Sequence, residues 1–185
     1  MMQSVIESLK GKFIVASPRL LDPNFVQAVV LVIQHDANGA MGVIINRPME
    51  VSVRQACEPL EAVQCLVEAP LHVGGPCEGP LMALHSIADT AEGEVIPGVY
   101  FTVQRHHLES LLEAAPIPAK YVAHYAGWGA GQLEADITEG SWLVLDAAAE
   151  SIFEEDGQLW SKLIASATLG RWITPSQMPD DPSMN

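Results

Sequence analysis

The sequence predicts a single α+β domain. Three observations carry that expectation. Asn38-Gly39 separates two apolar, β-branched runs, 26–34 and 40–46, the signature of an antiparallel hairpin. The later strand-like runs do not alternate regularly with helical stripes, as a doubly wound α/β sheet would require. The chain has 185 residues, 49% of them hydrophobic, with mean hydropathy +0.19. That composition sustains one core, and a globule of this size buries roughly 70% of its extended-chain surface.

The elements follow in order. Phe13–Ala16 is a short apolar run closed by Ser17-Pro18. The run from Val26 to Ile33 suits a central strand buried on both faces. Pro48 is expected to end the second strand of the hairpin. Ser52-x-x-Gln55 fits a capping box, which opens a short helix stopped by Pro59. Leu81–His85 and Val99–Val103 read as strands. Leu108, Leu111 and Leu112 stand at i, i+3 and i+4 of a helix that ends before Pro116. Lys120–Tyr125 reads as a strand leading into a glycine turn, Gly127-Trp128-Gly129-Ala130-Gly131. Leu133 and Ile137 lie one turn apart on a helix closed by Gly140. Trp142–Leu145 is a strand, after which Asp146 is placed to cap a helix through Phe153. Trp160, Leu163, Ile164 and Ala167 form the stripe of a last helix, with Gly170 as its stop. The domain is expected over 1–173. Residues 174–185, with three prolines and two adjacent aspartates, are expected to form a disordered tail.

Charge bounds the function. Nine basic and 23 acidic residues give a net charge of −14. The excess lies in residues 55–185, where four basic residues face 19 acidic ones. Nucleic-acid binders draw most of their affinity from neutralising phosphates, so this balance argues against direct DNA or RNA binding. It argues equally against anionic membrane surfaces. The longest stretches free of charged residues, 23–35 and 121–133, are thirteen residues each. A membrane-spanning helix needs about 20 apolar residues, so none is expected. The N-terminus carries Glu7 and no apolar block, so no secretory leader is expected. Cys57, Cys65 and Cys77 are odd in number, and they read as reduced thiols of a cytoplasmic protein.

Several motifs invite chemistry. The glycine run before a helix resembles a phosphate cradle, but it lacks the P-loop ending and the G-x-G-x-x-G spacing. Glu134 and Asp136 in its first turns would repel a phosphate. His72, Cys77 and His85 offer zinc-binding atoms without zinc-binding spacing, and His106-His107 point apart on a helix, so no metal is expected. Ser17, His35 and Asp36 hold the residue types of a hydrolase triad without a G-x-S-x-G elbow. Cys77 has no neighbouring cation in sequence to activate it. Arg47 is the sharper case, a rare cation at the end of a buried strand. It is expected to pair with a carboxylate, Glu134 being the named partner, or else to contact an anionic ligand.

Taken in order, the segments resemble the AlgH/YqgE family of bacterial proteins. They are F-I-V-A-S-P at 13–18, L-L-D-P-N-F at 20–25, H-D-A-N-G-A-M-G at 35–42, I-N-R-P at 45–48 and G-G-P at 74–76. L-H at 84–85, Y-A-G-W-G-A-G-Q-L-E at 125–134, W-L-V-L-D at 142–146, I-F at 152–153 and W-S-K-L-I-A-S-A-T-L-G at 160–170 complete the set. The resemblance implies a bifurcated, mostly antiparallel sheet partly closed into a small barrel and surrounded by helices. It implies little about function, although family members carry the label of transcriptional regulators. With a net charge of −14 and no helix-turn-helix, such a role would run indirectly, through a protein partner. Cys77 and His124 depart from the family pattern. Among positions that match it, Asn46, Arg47, Trp128 and Gln132 are the candidate ligand-binding residues, and His35 and His85 the candidate catalytic ones. The leading expectation is a binding or regulatory protein without cofactor, acting through a protein partner or a small polar ligand. The alternative is an enzyme on a small anionic substrate, with His35 or His85 as general base and Arg47 as anion contact.

Overall fold

A computed structural model of the chain describes residues 7–60, 63–155 and 157–172. The expected tail, 174–185, lies outside the described residues. Ten strands form one sheet: β1 (Lys12–Ala16), β2 (Val29–Asp36), β3 (Gly39–Ile44), β4 (Pro48–Ser52), β5 (Pro70–Val73), β6 (Cys77–His85), β7 (Gly93–Ile96), β8 (Val99–Thr102), β9 (Ala119–Gly129) and β10 (Trp142–Asp146). Around it lie α1 (Val53–Cys57), α2 (Arg105–Ala114), α3 (Gln132–Thr138), α4 (Ala149–Phe153) and α5 (Leu159–Trp172). The main path runs β10-β1-β2-β3-β9-β6-β8-β7, and β5 branches from β9 carrying β4 on its far side. The sheet is mostly antiparallel and curls into a half-barrel, as the fold class requires.

The fork sits on β9. Its first half pairs in parallel with β5, Leu71 opposite Tyr121 and Val73 opposite Ala123. Its second half pairs antiparallel with β3, Gly42 opposite Ala126 and Gly39 opposite Gly129. Between them His124 adopts a left-handed backbone, φ 67°. Gly74 spans the fork: its N–H donates to the Ala123 carbonyl at 2.7 Å, and its carbonyl accepts from the Ile44 N–H at 2.8 Å. A Cβ on Gly74 would stand 2.4 Å from the His124 oxygen, and one on Gly75 2.2 Å from the Tyr125 carbonyl carbon. Only glycine allows so close a backbone approach, which is the physical reason for Gly74-Gly75-Pro76.

The β2–β3 hairpin forms as expected, with Asp36 opposite Gly39. Val29, Leu31 and Ile33 enter one core cluster with Phe13, Val43 and Leu84. Val30 and Val32 enter a second on the other face, with Ile14, Ile44 and Trp142. This central strand is therefore buried on both faces, and alternation sends its side chains to two different cores. A third cluster, around Val53, Cys57, Leu108, Leu111 and Tyr121, packs α1 and α2 against β5 and β9. The Ser52 capping box is complete: Ser52 Oγ accepts from the Gln55 N–H at 3.2 Å, and Gln55 Oε1 from the Ser52 N–H at 3.0 Å.

Four expectations are corrected, and two strands went unread. Pro48 begins a strand, β4, whose outward residues are largely exposed. The glycine run is no turn through Gly129: β9 continues to that residue, paired with β3, where Gly39 lacks the Cβ that would stand 2.1 Å from the Trp128 oxygen. Asp146 does not cap α4, whose N-cap is Ala148; it pairs with Lys12 at 2.5 Å. Gly170 does not stop α5, which runs to Trp172. The strands β5 and β7, four residues each, had no pattern long enough to reveal them. Among the described residues, no helix is long and apolar enough to cross a membrane.

Candidate functional site

The two candidate histidines are held by bonds on both ring nitrogens. His35 is 7% exposed. Its Nδ1 accepts from the Leu9 N–H at 2.9 Å, so Nε2 carries the proton and donates to Glu134 Oε1 at 2.9 Å. His85 is fully buried. Its Nδ1 accepts from the Ile87 N–H at 3.2 Å, and Nε2 donates to Thr102 Oγ1 at 2.8 Å, which passes its own proton to the Thr90 carbonyl. Burial pulls the His85 pKa down, favouring this neutral, satisfied ring.

The candidate ligand contacts bind the chain itself. Asn46 Oδ1 accepts from the Val29 N–H at 2.8 Å, and its amide donates to the Gln27 carbonyl at 2.9 Å. Arg47 donates to the carbonyls of Asn24 and Val26, the latter at 3.0 Å. The two residues clamp the segment before β2, where Gln27 sits at φ 55°. The expected Arg47–Glu134 pair does not form, because Glu134 is taken by His35 and the charge that reaches Arg47 is Asp22. Trp128 stacks on Phe25 at 6.0 Å, meets Trp142 edge-on at 6.0 Å, and its indole bonds to Asp136. Gln132 Oε1 accepts from the Gly129 N–H at 3.0 Å and closes the turn into α3. Phe25 brings Trp128 close to the clamped segment. His85 belongs to the β6–β8 pair and is not brought to the others.

A buried ionic cluster was invisible in the sequence. Lys120 is 2% exposed, donates to the Ile45 carbonyl at 2.9 Å and the Glu154 carbonyl at 3.1 Å, and pairs with Glu155 Oε1 at 3.1 Å. Burial lowers its pKa. Burial also works to raise the Glu155 carboxyl, but the His72 hydrogen bond at 3.0 Å and the Lys120 charge outweigh it and hold the carboxyl low. An ammonium so engaged is a strut, tying β9 to the segment before α5, and not a free nucleophile.

A large apolar concavity lies elsewhere. An open groove of about 590 Å³ runs between α1, the following loop and α2. Its walls include Leu60, Val63, Leu81, Val103, Leu108 and Leu112, with Cys57 at its base. Binding sites of this size are typically lined by apolar side chains with few polar ones. Arg105 and Glu109 stand at the edge, paired at 2.7 Å. Leu60 on the groove wall is exposed, and Leu66 and Ile117 lie exposed on a second concavity, tied to the first where the Leu66 N–H donates to the Leu112 carbonyl. Leu60, Val63 and Leu66 fall on an irregular loop, so periodicity could not have marked them. Among the described residues no group of three or more His, Cys, Asp or Glu is arranged to hold a metal ion.

The sequence model of the AlgH-like family matches residues 13–170. A UPF0301 protein of Chlorobaculum tepidum is 38% identical over the whole of both chains. One from Streptomyces coelicolor is 35% identical over 97% of both. The solution structure of the AlgH protein from Pseudomonas aeruginosa superposes with a TM-score of 0.72 at 26% identity, covering 98% of this chain and 100% of that one. A crystal structure of a Corynebacterium diphtheriae protein shares the fold, with a TM-score of 0.70 at 20% identity over 86% of this chain and 87% of that one. With relatives matched end to end and the fold shared, the chain belongs to the AlgH-like, UPF0301 family.

Proposed function

We propose that this is a cytoplasmic, non-enzymatic binding protein that receives a basic, amphipathic segment of a protein partner in the α1–α2 groove. The apolar lining of that groove carries the reading. Leu60 on its wall, and Leu66 and Ile117 on an adjoining concavity, extend the exposed apolar surface past what a small molecule covers, as at protein interaction sites. Charge selects the partner. Glu109 lines the groove, and Glu58 and Glu113 each adjoin a lining residue in sequence, Cys57 and Leu112, whereas Arg54 and Arg105 are already engaged by Glu68 and Glu109. The remaining field is negative and attracts cationic segments. A regulatory role, as the family label suggests, then runs through this contact and not through nucleic acid, consistent with a net charge of −14. The committed bonds of His35, His85 and Arg47 count against the alternative of an enzyme acting on a small anion.

The test uses a fluorescent amphipathic peptide of leucine and lysine, with a scrambled peptide of the same composition. Anisotropy should show saturable binding of the amphipathic order, and Leu60→Asp should weaken it by about tenfold or more, roughly 1.4 kcal/mol. Equal binding of the two peptides, or full binding by Leu60→Asp, would sink the proposal.

A further inference from the structure

We infer that Cys57 and Cys65 form a peroxide-responsive dithiol, with Cys65 as the attacking thiol and Cys57 as the resolving one. The chain places them together although eight positions separate them. After α1 it turns back on itself, the Leu60 N–H donating to the Cys57 carbonyl at 2.8 Å and the Val63 N–H to the Leu60 carbonyl at 2.9 Å. The Leu66 N–H then reaches the Leu112 carbonyl at 2.9 Å, and the Arg54 N–H the Val67 carbonyl at 3.0 Å. These bonds press the returning segment against the cluster that contains Cys57, and Cys65 packs on that cluster. Cys65 lies close enough to Cys57 to act electrostatically on its thiol, and both act in the same way on the Tyr121 hydroxyl.

The two thiols differ in the way a redox pair requires. Cys57 is 5% exposed, and its burial, with the neighbouring Cys65, pushes its thiol up to about 11. It stays protonated and attacks nothing unaided. Cys65 is half-buried and reachable from solvent, so a dissolved peroxide meets it before it meets Cys57. Cys77 stands apart, on β6 opposite Tyr125.

The chemistry balances with a peroxide as oxidant. The Cys65 thiolate attacks one peroxide oxygen, the O–O bond breaks, and hydroxide leaves, giving a sulfenic acid at Cys65. The Cys57 sulfur then attacks that sulfenic sulfur. The S–S bond forms, the S–O bond breaks, and the Cys57 proton leaves with the hydroxyl as water. Two thiols are oxidised, and the peroxide is reduced to two waters. The disulfide fastens the returning loop to the end of α1, at the base of the apolar groove. That consequence rests on the binding reading, whereas the chemistry stands without it.

The experiment treats the full-length reduced protein with hydrogen peroxide and counts thiols under denaturing, non-reducing conditions. The count should fall from three to one and return to three with dithiothreitol. Cleavage after Glu61, Glu68 and Glu78 separates all three cysteines, so mapping should join the Cys57 and Cys65 peptides within one chain and leave Cys77 free. With a sulfenic-acid trap present, Cys57→Ala should be labelled at Cys65, and Cys65→Ala should remain unlabelled at Cys57. An unchanged count, loss at Cys77, a bridge between two chains, or labelling of Cys57 in Cys65→Ala would each overturn the inference. None of these readouts depends on peptide binding, so the groove and the dithiol fail separately.

Discussion

The two ends of this molecule treat polar and apolar residues in opposite ways. At the end built by β1, β2, β3, β10 and α3, the polar side chains that the sequence singles out are consumed by the fold. Asn46 and Arg47 clamp a backbone segment, His35 is bonded at both nitrogens, and Trp128 is stacked and bonded. At the α1–α2 end the arginines are paired with neighbouring glutamates, and apolar residues are left over, with Leu60 57% and Ile117 95% exposed. Unspent hydrophobic surface is the rarer condition in a folded protein, because burying it is the main driving force of folding. Residues that look functional in a list of letters can be the joinery, and the open chemistry lies where the letters look bland.

Substitutions sharpen that contrast. At the first end they should cost stability. Trp128→Ala removes a 7%-exposed ring from its contacts with Phe25 and Trp142 and frees Asp136. A loss of about 3–5 kcal/mol is expected, as for other buried aromatics cut to alanine. Urea denaturation measures it, and a midpoint near that of the parent would make Trp128 a ligand platform after all. Arg47→Met follows. It strips charged donors from the Asn24 and Val26 carbonyls, and the cost should be about 1–3 kcal/mol, since half-exposed carbonyls recover part of the loss from water. No change would return Arg47 to the set of candidate anion contacts.

Glu134 gives a smaller effect with a pH signature. Its own backbone N–H, at the start of α3, and then the His35 hydrogen bond hold its carboxyl below the ordinary value of 4.5. Folding therefore favours the ionised form. The stabilisation is present above that value and disappears as the pH falls through the lower, folded one. Glu134→Gln should lose about 0.3–1 kcal/mol at neutral pH, the usual worth of a carboxylate in a first helical turn, and the difference from the parent should vanish in acid. A gap that persists in acid would mean that the residue acts through packing alone.

How much of this was legible depended on the range of the interaction. The hairpin, the capping box, the buried central strand and the α2 stripe are local patterns, and they stand where the residues put them. The resemblance supplied the forked half-barrel, which no periodicity contains. What escaped was non-local. The fork at His124 needs Gly74 brought across from another strand, and the Lys120–Glu155–His72 cluster joins residues up to 83 positions apart. Arg47 was paired with the wrong acid because sequence shows which charges exist and not which are already taken. Cys57 and Cys65 looked unrelated because the loop that brings them together has no repeating pattern.

The smallest stability change belongs to the other end, and it is the sharpest test of the comparison. Leu60 is 57% exposed, so exchanging it for aspartate removes little buried area. Surface changes of this kind usually stay within about 0.5 kcal/mol, and denaturation of Leu60→Asp should fall in that range. The same change places a carboxylate on the groove wall, where an apolar side chain of a partner would otherwise bury against Leu60. Desolvating that carboxylate on binding is costly even where a lysine stands near. The variant should thus fold as the parent does and fail to bind the amphipathic peptide, the reverse of Trp128→Ala, whose remaining folded fraction should bind normally. If instead Leu60→Asp is destabilised by several kcal/mol, the loop is part of the core, and the α1–α2 end is as fully spent on folding as the rest of the molecule.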